Sequence, residues 1–154
     1  MRQVKINSTL GNEIITAQDV KDYVRIDTNE DDALIGQMIT QARIWCENFL
    51  SRDIVAKNRT YYLPTTSGLF DLPFAPIASV VTVLINGAAS EYTEYGLDDL
   101  SIELNGGPAD NVKITYTTAG INDGLIKQAL LQLVSTYYDN RADFSISTGD
   151  VNEV

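Results

Sequence analysis

Glu30-Asp31-Asp32-Ala33-Leu34-Ile35-Gly36-Gln37-Met38-Ile39-Thr40-Gln41-Ala42-Arg43-Ile44-Trp45-Cys46-Glu47-Asn48-Phe49-Leu50 is the stretch on which the fold turns. Leu34, Met38, Trp45 and Phe49, with Ile35, Ile39 and Ala42 beside them, recur at three- and four-residue spacing. That is the repeat of an α-helix, so the spacing predicts a helix over about 30 to 50 that buries one broad apolar stripe. Glu30, Asp31 and Asp32 stand at its start, where carboxylates interact favourably with free backbone amides and the positive end of the helix dipole. Capping accounts for them. Asp27, Asn29 and Asp31 also match the opening of an EF-hand loop, but Asp32 replaces the required glycine and Met38 the bidentate glutamate. The match fails where calcium geometry is strictest.

Working outward, Thr16 followed by Asp19 predicts a capping-box start to a short helix over about 17 to 25, with Val20 and Val24 on one face. Residues 1–15 are a lead-in whose Val4, Ile6, Ile14 and Ile15 suit an edge strand, with Gly11-Asn12 as a turn. Beyond residue 57 the period changes from helical to alternating, and strands are expected at 59–63, 68–72, 79–85, 91–95, 101–104 and 111–116. Asn86-Gly87 and Asn105-Gly106-Gly107 are turn signals, and Pro73 and Pro76 fall in a connector. Leu125, Ile126, Ala129, Leu130, Leu133, Val134 and Tyr137 return to helical spacing over about 123 to 141. The expected fold is α+β: N-terminal helices and a C-terminal helix packed with a small antiparallel β-sheet. It forms a single domain over 1–142, and 143–154 is a tail without a core of its own.

The chain has 154 residues, 44% of them hydrophobic, enough for one core. Its 11 Lys+Arg against 21 Asp+Glu give a formal net charge of -10. This argues against gripping nucleic acid through its phosphates. Residues 1–10 hold no apolar run that would serve as a signal sequence, and no stretch is long enough to span a bilayer. The lone Cys46 lies in a helical apolar pattern and is expected to be a buried, inert thiol in a reducing compartment. Histidine is absent, which removes Ser-His and Cys-His nucleophilic pairs and the commonest zinc ligand. There is no P-loop and no Gly-x-Gly-x-x-Gly. No catalytic residue, metal ligand or cofactor site is assigned.

One acidic run stands out. From Glu91 through Glu94, Asp98, Asp99, Glu103 and Asp110 there is no Lys or Arg. Such a patch suits a solvent-facing loop, a basic partner or a channel wall; as acid-base chemistry it lacks any sign of convergence in a cleft. The chain holds 8 Tyr against 4 Phe, a bias toward rings with a polar tip that suits interfaces. Tyr61-Tyr62 is expected to place one ring inward and one outward along a strand.

Taken in order, several of these segments resemble one family. Val24-Arg25-Ile26-Asp27, the acidic Glu30-Asp31-Asp32, Arg52 after the long helix, Leu72-Pro73 with Pro76-Ile77-Ala78-Ser79-Val80, Tyr116 with Ala119-Gly120, and Tyr138-Asp139-Asn140-Arg141 are similar to the gp6-like head-tail connector (head completion, adaptor) family of tailed bacteriophages. Two departures stand beside it: residues 1–15 lie outside the pattern, and Ile121-Asn122-Asp123-Gly124 takes the place of a proline before the last helix. The resemblance implies a structural virion protein at the head-tail junction, made in the bacterial host cytoplasm. About twelve copies would form a head-to-tail ring under the portal protein. The ring would extend the DNA channel without specific DNA binding and offer a platform to the next tail-joining (stopper) protein. Tyr138, Arg141, Phe144 and Ile146 are the candidate portal contacts, with core packing the alternative for Tyr138. The competing reading is a small acidic cytoplasmic protein-binding module of a bacterium or prophage, and an enzyme using paired carboxylates ranks below both.

Overall fold

The alternating middle of the chain builds two antiparallel sheets rather than one in the computed structural model, which describes residues 1–140. In chain order the elements are β1 (Gln3–Thr9), α1 (Ala17–Val24), α2 (Asp32–Leu50), β2 (Lys57–Thr66), β3 (Leu69–Asp71), β4 (Ile77–Ile85), β5 (Ala88–Ala89), β6 (Tyr92–Gly96), β7 (Leu100–Leu104), β8 (Ala109–Thr118) and α3 (Gly124–Asp139). The sequence-predicted helices and strands are all present, with ends shifted by up to three residues. Two compact units result: a β unit of Met1–Asn12 with Leu50–Ile121, and a helical unit of Glu13–Phe49 with the described residues from Asn122 to Asn140.

In the β unit one sheet has the order β1-β2-β8-β4-β5 and the other β3-β7-β6. Val4 and Ile6 fall in β1, an edge strand as expected, whereas Ile14 and Ile15 belong to no strand. Tyr61 and Leu63 of β2, Val112, Ile114 and Tyr116 of β8, and Phe70, Leu100, Ile102 and Leu104 of the smaller sheet share one core. The inner faces of the two sheets therefore meet, and their outer faces point in opposite directions. Each fully buried Leu or Ile contributes about 1.5–3 kcal/mol. The chain passes from the first sheet to the second at Gly68, whose φ of 106° suits glycine, and a Cβ there would lie 2.7 Å from the Gly107 backbone. Tyr61 is buried and Tyr62 half-buried, as strand alternation requires.

Alternation also turns two charges inward. Lys57 and Arg59 lie in phase with Tyr61 and Leu63, and both are buried. Asp53, fully buried, accepts from Arg59 Nη2 at 2.7 Å, Arg59 Nε at 2.8 Å and Thr118 Oγ1 at 2.8 Å, with Lys57 Nζ at 3.4 Å. The Arg59 guanidinium also lies 3.9 Å from the centroid of the Phe74 ring, a cation-π contact.

In the helical unit the capping box is formed: the Asp19 amide donates to Thr16 Oγ1 at 3.1 Å and the Thr16 amide to Asp19 Oδ2 at 2.8 Å. Asp123 caps α3, accepting from the Leu125 amide at 2.6 Å, so the departure from the family proline still starts a helix at Gly124. Ile15, Val20, Ile35, Met38, Ile39, Ala42, Leu130 and Val134 form the core. The stripe read on α2 is corrected at one end: Trp45 is 53% and Phe49 73% exposed. The buried and partly buried apolar residues of α2 run from Leu34 to Cys46, and Phe49 lies a turn beyond them. The two rings stack on each other instead, centroids 5.1 Å apart and 7° from parallel, as i,i+4 neighbours on a helix can.

At the start of α2, where the acids are expected to cap the helix, two of them hold side chains. Asp31 Oδ2 accepts from the Tyr138 hydroxyl at 2.6 Å, and Asp32 pairs with Lys21 Nζ at 3.0 Å. Lys21 also donates to Asn29 Oδ1 at 2.7 Å, so the EF-hand lookalike is occupied by a lysine. Deeper in α2, Arg43 holds Glu13 at 2.9 Å and Glu47 at 3.1 Å. Burial pulls the Arg43 pKa down, but these two carboxylates outweigh it and hold it above the usual arginine value.

Candidate interaction surfaces

The acidic residues singled out in the sequence are divided by the fold. Glu103 lies on β7 and Glu94 on β6, Asp98 and Asp99 occupy the turn between those strands, and Glu91 precedes β6. Asp110 sits on β8 in the other sheet, paired with Thr65. Nor is the patch free of cations, because Arg52 reaches across to Asp99, 3.0 Å from Oδ1.

The outer face of the small sheet keeps a coherent character. Register sets Leu69 and Thr93 opposite Glu103, and Asp71 and Tyr95 opposite Ser101. Leu100, Ile102 and Leu104 point inward, so these residues share the outward side. Tyr95 donates its hydroxyl to Glu103 at 2.7 Å and Ser101 donates to Asp71. The bond to Glu103, then its charge, raises the Tyr95 pKa. Asp71 was not singled out in the sequence; its signal was the alternation with buried Phe70 and Leu72.

The opposite side of the β unit carries the other sign. Lys5 and Asn7 of β1, Asn58, Thr60 and Tyr62 of β2, and Lys113, Thr115 and Thr117 of β8 are its outward rows. Hydroxyls and amides link them across strands: Asn7 Nδ2 to Asn58 Oδ1 and Thr60 Oγ1, both at 2.8 Å, and Ser79 Oγ to Thr117 Oγ1 at 2.7 Å. A shallow concavity of about 610 Å³ opens here, and Lys5 and Lys113 are the charged residues that line it. Neither lysine was assigned a role from sequence, although both alternate with inward residues.

In the helical unit Tyr138 is half-buried against the core. Arg141, Phe144 and Ile146 lie outside the described residues. Cys46 is half-buried, and burial, then Glu47, raises its thiol pKa away from reactivity. Among the described residues no helix is long and apolar enough to cross a membrane.

The chain matches the head completion protein family over residues 13–151. It belongs to that family. This head completion protein is also similar in fold to a chain in the neck of an empty gene transfer agent particle computed with C6 symmetry, with a TM-score of 0.71, 16% identity, and coverage of 89% of this chain and 84% of that one. A chain in the virion of a native gene transfer agent particle matches at a TM-score of 0.67 and 17% identity, again over 89% and 84%. One in the neck of a native particle, computed with C12 symmetry, matches at 0.60 and 19% identity, over 84% and 83%. Comparison with curated proteins returned no match. The family resemblance read from Val24-Arg25-Ile26-Asp27 and the motifs after it is borne out, as is the α+β class. As a head completion protein the chain has a structural part in completing the virion head, and its likeness to the neck chains shows a shared fold.

Proposed function

We propose that this head completion protein assembles into a ring of about twelve copies beneath the portal, extends the DNA channel, and presents a platform to the stopper protein that follows. The observation that carries this reading is the family match across residues 13–151, and the similarity to a neck chain solved under C12 symmetry supports the number. The protein acts by contact and not by catalysis. Its candidate carboxylates spread over two sheets and a turn, and burial, then Glu47, raises the pKa of its Cys46 thiol. Tyr138, with Arg141, Phe144 and Ile146, remains the candidate portal contact.

Mass measurement and negative-stain imaging of the purified chain test this, across concentration and salt and with portal added. Dilute protein at low salt should be monomeric, because subunits of charge -10 repel one another. Higher salt screens that repulsion and should favour rings. A chain that stays monomeric at high concentration and salt, and also with portal present, refutes the ring.

A further inference from the structure

The β unit carries opposite charge on its two outer faces, and neither face can satisfy the other within one molecule. On the larger sheet the ionic side chains lining the concavity are Lys5 and Lys113, in a chain with 21 acidic residues against 11 basic. Neither lysine makes an ion pair among the described residues. On the smaller sheet the outward ionic side chains are Asp71 and Glu103, flanked by half-exposed Tyr95 and Leu69. Both faces are backed by one packed core, so each is a preformed surface that needs no refolding to dock.

We infer that the concave outer face of β1-β2-β8-β4 is the docking surface for the outer face of β3-β7-β6 of a second copy of this chain, with Lys5 and Lys113 meeting Asp71 and Glu103. Charge complementarity selects the occupant: a like-charged approach of two copies of either face would be repulsive, whereas the unlike faces attract. Because the two faces lie on opposite sides of the unit, the contact is heterologous, and each copy keeps one donor and one acceptor face for its neighbours. Such contacts close into rings when the rotation between copies permits. Thr60, Thr115 and Tyr62 bring hydroxyls to the centre of the contact, and Tyr95 and Leu69 bring the apolar area that an interface core needs. The inference deepens the ring proposed above and rests on it.

Paired charge reversal tests this. K5E/K113E should weaken self-association at least about tenfold, and D71K/E103K should do the same, since each variant alone sets like charge against like. All four positions are exposed, so K5E/K113E should keep the wild-type thermal unfolding curve, and D71K/E103K, which gives up the exposed bonds to Ser101 and Tyr95, should unfold slightly earlier while remaining fully folded at the assay temperature. Mixed in equal amounts, the two variants should assemble again, because every junction in an alternating array is then complementary. Rings from either variant alone, or no rescue in the mixture of two folded variants, overturn the assignment of these faces while leaving a ring of wild-type chains intact. Failure of wild-type protein to associate under every condition, portal included, removes the ring and this contact together.

Discussion

Replacing Asp53 by asparagine should be among the most damaging single changes in the β unit. The substitution keeps the shape of the side chain but removes the charge that faces Arg59 at 2.7 and 2.8 Å. Arg59 is 5% exposed and Asp53 0%, so solvent cannot take over the lost pairing. Breaking a buried pair by removing one partner costs about 3–5 kcal/mol, a large share of a typical folding stability of about 5–15 kcal/mol. With a urea dependence of about 2 kcal/mol per molar, the midpoint should fall by about 1.5–2.5 M. Far-UV circular dichroism reports the whole chain, and the single tryptophan, Trp45, reports the helical unit. Adding Arg59→Met to Asp53→Asn should recover part of the loss, because one of the two buried cations leaves with the carboxylate, and the recovery stays partial because Lys57 remains. A midpoint within about 0.3 M of wild type, worth less than about 1 kcal/mol, would refute the view that this ion pair holds the base of the sheet.

Tyr116 predicts an alkaline limit: burial, with Asp53 and Tyr61 adding and Arg59 opposing, raises its pKa well above the usual 10.0. A raised folded pKa means the stability is complete below the unfolded value of about 10 and is lost as pH climbs past it. Urea midpoints measured from pH 8 to 11 should fall at the upper end. Tyr116→Phe should soften that fall while lowering the plateau by about 1 kcal/mol, through loss of the 2.6 Å bond to the Pro73 carbonyl; an unchanged profile would show that Tyr116 does not set it. The isolated chain should show no measurable DNA binding at physiological salt. Micromolar binding with a steep salt slope would contradict this, and loss of that binding in K5E/K113E would place it on the larger sheet. Deleting residues 143–154 should weaken portal capture and leave the melting curve nearly unchanged; unimpaired capture would move the portal contact elsewhere.

Much of the fold was legible because its signals are local. The three- and four-residue spacing from Leu34 to Ala42 gave α2, and the Thr16/Asp19 pair gave the start of α1. Strand positions followed from alternation, but their division into two sheets did not, because it depends on how Gly68 and Gly107 let two backbones approach. Trp45 and Phe49 were misplaced for a related reason. Their periodicity continues the core stripe, but Phe49 lies past the last packed residue and Trp45 stacks on Phe49 instead, and spacing along one helix does not encode where its packed partners sit. Lys57 and Arg59 illustrate the opposite failure. Their phase with Tyr61 and Leu63 was readable and points inward, but charged residues are so seldom buried that composition argued against the phase.

The two charged faces were half legible. Asn58, Thr60 and Tyr62 form one outward row, Lys113, Thr115 and Thr117 another, and each row can be read from its own strand. Their meeting cannot, because Lys5 and Lys113 are neighbours on a surface only through β2, which pairs Lys5 with Thr60 and Thr60 with Thr115. The acidic run misled in the same way: proximity in sequence joined Asp110 to Glu103, whereas pairing joins Glu103 to Leu69 and places Asp71 beside it. A net charge of -10 hides this arrangement entirely, since it is a sum over both faces. The sign of each face at contact distance, where bulk salt screens weakly, decides which faces meet, while the total sets the longer-range repulsion that higher salt removes.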